Sequence, residues 1–240
     1  RFNMKVLITG SDGYIGVVLA QELIKRGHIV VGLDTGFYRS GRLFNGIARI
    51  PETVSKDIRK VSVEDLKGYD AVVHLAELSN DPLGQINPQV TFDVNHLGTV
   101  HLIEKCIKAG IKRFVYSSSC SVYGASDDIS FETSERNPVS EYAKCKALNE
   151  DYILSLPDSD FTPVILRNAT CYGFSPRMRF DLAINNLAAV AWISKVIKLE
   201  SDGSAWRPFV HIEDITQAMV CALEAPKDAG VYQFLDDASK

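Results

Sequence analysis

The alternation of short apolar runs with helix-period segments limits this chain more than any other feature. Lys5-Val6-Leu7-Ile8-Thr9 reads as a buried strand. Apolar residues at helical spacing follow, with Ile15, Val18, Leu19 and Leu23 on one face. Gly27 sits where that helix should be capped. The rhythm then repeats. Strands are expected at His28 to Leu33, Ala71 to Leu75, Phe114 to Tyr116 and Val164 to Leu166. Between them lie an amphipathic stretch around Val63 to Leu66, a helix over Thr91 to Ala109 ended by Gly110, and a helix over Glu141 to Leu154. Strands that alternate with helices imply crossover connections, a parallel sheet and helices on both of its faces. Sheets of this kind bind ligands beyond the carboxyl ends of their strands.

The first such end carries Gly10-Ser11-Asp12-Gly13-Tyr14-Ile15-Gly16, a G-x-x-G-x-x-G pattern between a strand and a helix. Glycines there permit a tight turn and let backbone N–H groups approach a pyrophosphate. The helix N-terminus adds partial positive charge. The second strand ends at Asp34, 18 residues after Gly16. A carboxylate at that place accepts both hydroxyls of an adenine ribose and repels a 2′-phosphate, which selects NAD over NADP. No basic residue follows it immediately, and Arg39 lies five positions on.

Tyr142 and Lys146 form Y-x-x-x-K on an expected helix, so the two side chains share a face. A free phenol has a pKa near 10, and a nearby cation favours its ionised form. Such a tyrosine can act as an acid or base near neutral pH. The pattern alone is common on exposed helices; its place downstream of a nucleotide loop gives it weight. Ser117 through Gly124 follows the Phe114 strand and offers hydroxyls to a reacting oxygen.

Composition excludes several other classes. The net charge of −4 and pI of about 5.8 argue against nucleic acid or an anionic membrane as partners. No apolar run reaches the roughly 18 residues of a membrane span. The five cysteines are odd in number and contain no C-x-x-C, which points to reduced thiols in the cytoplasm rather than disulfides or a metal site. Cys120 and Cys145 fall close to the candidate hydroxyl and helix motifs. Arg1-Phe2-Asn3 reads as a tag remnant before Met4, and the end at Lys240 reads as a truncation.

With these motifs in place, the chain resembles the extended short-chain dehydrogenase/reductases, in particular the NAD-dependent nucleotide-sugar epimerase/dehydratase family. The resemblance rests on the glycine loop, Val73-His74-Leu75-Ala76, Ser117 through Gly124, Tyr142 with Lys146, and Arg207-Pro208-Phe209-Val210-His211-Ile212-Glu213-Asp214. It implies a Rossmann-type, doubly wound parallel sheet with a small C-terminal substrate-binding region. Residues 1–167 would form the NAD-binding domain, with 209–234 returning to it. Residues 168–208 would be part of the substrate region, built from a loop at Gly173 to Arg177, a helix at Leu182 to Ser194, a short strand at Val196 to Leu199 and a loop at Ser201 to Pro208. Ile212 to Leu223 again has helical spacing.

Residue by residue, the resemblance implies catalysis by Ser119, Tyr142 and Lys146. It places NAD against Gly10, Gly13, Tyr14, Ile15, Gly16, Asp34, Asp57, Ile58, Leu75, Ala76 and Asn95, with Tyr142 and Lys146 at its nicotinamide end. It places a nucleotide-diphosphate sugar against Ser119, Thr170, Asn186, Leu187 and Arg207. Many relatives carry a phosphate-contacting Asn at the Thr170 position. Glu77 stands where a small residue is expected, as a solvated loop acid or a sugar-pocket residue. Relatives that eliminate water carry Asp-Glu directly after the catalytic hydroxyl, and the decarboxylases carry Glu at the second of those positions; here the two are Cys120 and Ser121. The reaction implied is epimerisation by transient oxidation at a sugar carbon, C4 foremost. A keto-sugar reductase, a dehydratase and an idle NAD-binding scaffold are the alternatives. Relatives pair through two long helices, so a homodimer through Thr91–Ala109 and Glu141–Leu154 is expected.

Overall fold

The computed structural model describes residues 3–43, 51–79, 81–126, 128–157, 159–199, 202–204, 206–226 and 233–234. Arg1, Phe2 and residues 235–240, on which the tag and truncation expectations rest, lie outside them, as does Ser201.

In chain order the elements are β1 (Lys5–Thr9), α1 (Tyr14–Lys25), β2 (Ile29–Asp34), β3 (Glu52–Ser55), β4 (Ala71–His74), α2 (Asp81–Ile86) and α3 (Pro88–Phe92). They continue with α4 (Gly98–Ala109), β5 (Arg113–Ser119), α5 (Glu141–Leu154), β6 (Thr162–Asn168), β7 (Thr170–Tyr172), α6 (Ala183–Ser194), β8 (Phe209–His211), α7 (Ile212–Glu224) and β9 (Gln233–Phe234). Among the described residues seven strands form one sheet in the order β3-β2-β1-β4-β5-β6-β9, every pair parallel. The order turns back at β1, so the crevice between β1 and β4 is the switch point at which such sheets take ligands.

The central strands are apolar on both faces because both faces are covered. On one side Val6, Ile8, Val73 and Val115 pack with Leu19 and Leu23 of α1 and Met219 and Val220 of α7. On the other, Leu7, Val72, Phe114 and Ile165 pack with Leu102, Ile103 and Cys106 of α4 and Ile153 of α5. Each fully buried side chain of this size contributes about 1.5–3 kcal/mol.

Several sequence expectations change at their edges. The helix expected from Thr91 starts earlier, where Asn87 accepts the N–H of Val90 and Pro88 takes the first turn. A π-turn at Asp93–Leu97 joins α3 to α4. The stretch at Val63 to Leu66 is a single 3-10 turn at Glu64–Leu66. The strand expected at Val196 to Leu199 is not formed. Those residues follow Lys195, which ends α6 in a left-handed conformation (φ 59°), and Val196, Ile197 and Leu199 are exposed. β-branched residues favour a strand only where a partner edge exists. The small second sheet pairs β7 with β8 instead.

Candidate active site

The glycine loop is a backbone construction. Gly10 has φ +76°, and a Cβ on it would lie 2.8 Å from the Ala76 nitrogen. A Cβ on Gly16 would lie 2.2 Å from the Gly10 carbonyl oxygen. Gly13 caps α1 without a side-chain hydrogen bond, and the first turn holds no acid. The helix N-terminus therefore has N–H groups and positive field to offer an anion. Asp34 ends β2 with Oδ2 accepting from the Asp12 N–H (3.0 Å) and Oδ1 from the Gly36 N–H (2.8 Å). Each carboxylate oxygen keeps a further lone pair for a ribose hydroxyl. Asp12, itself buried, pairs with Arg39 (2.9 Å) and Arg42 (2.5 Å).

His74 braces the loop from beneath. Its Nε2 meets the Thr99 hydroxyl at 2.9 Å, and Thr99 in turn donates to the Asn95 carbonyl. Thr99 is thus an acceptor for a neutral His74 protonated on Nε2, and Nδ1 accepts from Thr9 at 2.7 Å. Thr9 Oγ1 takes the Leu75 and Ala76 N–H groups. Burial pushes the imidazole down to about 3.

The other end of the crevice is made of side chains. β5 runs further than its apolar core suggests, so Ser117, Ser118 and Ser119 are its last residues rather than a loop after it. The Ser119 hydroxyl accepts the Ser121 N–H at 3.1 Å and is close enough to the Tyr142 phenol to lower its pKa. α5 brings Tyr142 and Lys146 to the same face, with the ammonium 5.3 Å from the phenol ring centroid. Burial raises the pKa of Tyr142, Lys146 and Arg179 oppose the rise, and Glu77 adds to it. Lys146 is buried, donates to the Ser117 carbonyl and pairs with Glu77 at 2.7 Å. Behind this layer, Arg167 and Glu150 form a buried ion pair at 2.7 Å. Arg167 also reaches Tyr123 (2.7 Å), and Ser118 donates to Glu150. The network locks the end of β5 to α5.

Two carbonyl-side loops meet this centre. Tyr14 of the glycine loop donates to the Gly173 carbonyl at 2.6 Å, and Asn185 donates to Tyr14 at 3.1 Å while accepting the Gly173 N–H. Arg179 donates to Ser79 and pairs with Asp181.

The family model described as the NAD dependent epimerase/dehydratase family matches residues 6–234. The chain belongs to this family. It is 32% identical over 244 residues to Protein CapI of Staphylococcus aureus, across 93% of this chain and 70% of that protein. Its structure is similar to the UDP-glucuronic acid 4-epimerase from Bacillus cereus in complex with UDP-glucuronic acid and NAD (TM-score 0.81, 28% identity, 96% of this chain and 77% of that one). It is similar as well to TunA, an NAD-dependent NDP-hexosamine 5,6-dehydratase of tunicamycin biosynthesis (TM-score 0.84, 27% identity, 97% and 75%). The fold is thus Rossmann-type, and the cofactor of the family is NAD. The cradle fits it: glycines where a Cβ would strike backbone, an uncapped helix N-terminus and a carboxylate at the ribose position.

Seen as a member of this family, the chain distributes the expected residues unevenly. Gly10, Gly13, Tyr14, Ile15, Gly16, Leu75 and Ala76 all lie at the β1–β4 crevice. Ser119, Tyr142 and Lys146 come together. Asp57 spends its carboxylate on Arg59 (2.6 Å), and Ile58 is buried under Gly98. Asn95 uses both ends of its amide on Leu78, accepting its N–H at 2.8 Å and donating to its carbonyl at 2.9 Å, so it holds the loop after β4. Asn186 is exposed and donates to the Phe180 carbonyl, with Leu187 half-buried beside it. It is the neighbouring Asn185 that is buried and joined to Tyr14, a distinction one residue of register conceals. Thr170 lies on β7, paired with Phe209, and the exposed Arg207 lies close enough to Cys120 to lower its pKa against burial, which raises it. Sequence reasoning missed Asn185, Arg179 and the placement of Glu77, because none of them belongs to a local pattern. Among the described residues no helix is long and apolar enough to cross a membrane, and no cluster of ligands could hold a metal.

Proposed function

We propose that this protein is an NAD-dependent nucleotide-sugar epimerase that inverts C4 of a UDP-sugar. The observation that carries the reading is the convergence of Ser119, Tyr142 and Lys146 beside a glycine cradle, with no carboxylate directly after Ser119. NAD, when bound, supplies the hydride acceptor and a positive ring. The chain supplies proton handling and orientation. Tyr142 takes the proton of the sugar hydroxyl as its carbon is oxidised and returns it once the keto-sugar has turned over. A phenol whose pKa burial has raised needs a cation to do this near neutral pH, and Lys146 is that cation. Ser119 orients the reacting oxygen. Ser121 Oγ is buried with no partner among the described residues, so a sugar hydroxyl has a donor–acceptor waiting there.

Dehydration needs an acid and base at neighbouring carbons, and here Cys120 and Ser121 hold those places, the thiol with its pKa raised by burial. Reduction of a free keto-sugar is disfavoured by Asp34, which suits NAD rather than NADPH. Support for C4 comes from the relatives whose names state that carbon. Asp57, Ile58 and Asn95 toward the cofactor, and Thr170, Asn186, Leu187 and Arg207 toward the diphosphate, belong to the same proposal. So does a cytoplasmic location, consistent with five free thiols. Exposed Leu97 and Ile107 on one helical segment and Leu148 and Leu154 on α5 suit pairing of two copies. A homodimer by light scattering at micromolar concentration is expected; a strict monomer contradicts it.

The test is turnover of UDP-glucose, UDP-glucuronic acid and UDP-N-acetylglucosamine in D2O, followed by NMR. Transient oxidation leaves the carbon-bound hydrogens unexchanged, whereas dehydration puts deuterium on a neighbouring carbon. Tyr142→Phe should lose about 10²–10⁴-fold in kcat and still bind NAD. A near wild-type rate in that variant would remove Tyr142 as the base.

A further inference from the structure

Glu77 is buried rather than a solvated loop acid. Its side chain is 4% exposed and lies against the Lys146 ammonium, itself 5% exposed, at 2.7 Å. Its other oxygen accepts the Tyr116 hydroxyl at 2.9 Å, and Asn149 donates to Tyr116 at 2.9 Å. Asn149 is held in turn by His96, which donates to its amide oxygen at 2.8 Å. The loop carrying Glu77 is clamped at the next residue by Asn95 on both sides of Leu78. Little freedom is left to this carboxylate.

Lys146 needs such a partner. A buried lysine without a counter-charge gives up its proton several pH units early. Burial alone pushes Lys146 that way, yet its pKa lies above the ordinary 10.5, with Glu77 the largest opposing influence. The ammonium pairs with Glu77 and donates to the Ser117 carbonyl, and the charge stands 4.7 Å from the Tyr116 ring centroid and 5.3 Å from that of Tyr142.

We propose that Glu77 is a positioning residue for the reaction, whose buried carboxylate keeps Lys146 charged and aimed so that Tyr142 can serve as the base. The proposal rests on the epimerase reading of Tyr142 and Lys146. Lys146 is faced by Glu77 and His74 from the β4 side, by Tyr116 from β5, and by Tyr142 and Glu150 on its own helix. Tyr142 is faced by Lys146, Glu77, Arg179 and Ser119. Glu77 has two opposed effects on Tyr142: its own negative charge disfavours phenolate, while the ammonium it preserves favours it. Of the two, the ammonium has the larger influence on Tyr142, so Glu77 helps the base through the charge and the aim that it gives to Lys146.

The experiment reads Lys146 directly. Protein carrying lysine labelled with 13C at Cε is titrated by NMR, and Lys146→Met assigns the resonance. The wild-type midpoint should lie above 10.5, and Glu77→Gln should lower it by at least one pH unit. An unchanged midpoint overturns the proposal. In parallel, the alkaline limit of kcat for UDP-glucose or UDP-glucuronic acid should move down in Glu77→Gln. A uniform fall in kcat with no displacement of that limit means a structural role only and also overturns it. If Glu77→Gln folds poorly, the double variant Glu77→Gln/Lys146→Met removes both charges and should recover the lost melting temperature. Failure to recover it means that Glu77 serves its loop rather than Lys146. If Tyr142→Phe proves fully active, the epimerase reading falls, while the Lys146 titration still decides what Glu77 does.

Discussion

The two ends of the cofactor crevice are built from different materials. At the end proposed for the adenine and pyrophosphate the work is done by backbone: Gly10, Gly13 and Gly16 leave room, α1 presents its N-terminus, and Asp34 is pinned by two N–H groups. At the end proposed for the nicotinamide it is done by side chains with opposing charges, Lys146 against Glu77 and Arg167 against Glu150. The difference teaches what breaks each. A single added methyl disrupts the first, and a single lost charge disrupts the second. His74 stands at the seam, tying Thr9 and the Leu75–Ala76 backbone of one end to Thr99 and Asn95 of the other.

The largest expected effect is therefore at the seam. The folded-state pKa of His74 is depressed from 6.5 to about 3 by burial. The unfolded chain then binds the extra proton first, so the stability His74 contributes is fully present above pH 6.5 and is lost as the pH falls toward 3. The loss amounts to about 5 kcal/mol over that window. Urea unfolding at a series of pH values should show it, and His74→Gln should flatten the slope between pH 6.5 and 3. A variant with the parent slope would place the acid sensitivity elsewhere.

Next in size is the charged end. Arg167→Met leaves Glu150 buried without its main partner, and Arg136 at 3.2 Å is a poorer substitute. The expected loss is about 3–5 kcal/mol, measured by chemical denaturation, with Ser119 and Tyr142 losing their alignment. If Arg167→Met costs less than about 1 kcal/mol, the network is not what holds β5 to α5.

At the backbone end, Gly16→Ala forces a shift in the loop worth about 1–3 kcal/mol of overpacking. NAD affinity, read by calorimetry, should fall about 100-fold while the Lys146 titration stays unchanged. Movement of both readouts together would erase the distinction between the ends. The smallest effect concerns selectivity. Asp34→Ala should narrow the preference for NAD over NADP by about tenfold, roughly 1.4 kcal/mol. A wild-type protein that favours NADP in the same titration would overturn the role given to Asp34.

What the sequence determined on its own is local. The strand–glycine loop–helix unit, Asp34 at a strand end and the Tyr142–Lys146 spacing depend on residues within one or two turns of each other, and periodicity and backbone sterics make them legible. β1, α1, β2 and β4 stand close to where the apolar runs put them, for the same reason. Only the tertiary structure decided the rest. It left Val196 to Leu199 without a partner strand, paired β7 with β8, chose Asn185 over Asn186 as the buried amide, and brought Glu77 to Lys146 from 69 positions away. A pattern along the chain records which face a residue turns inward. It does not record which distant charge will be waiting there, because that depends on how the sheet, α5 and the loop after β4 pack together.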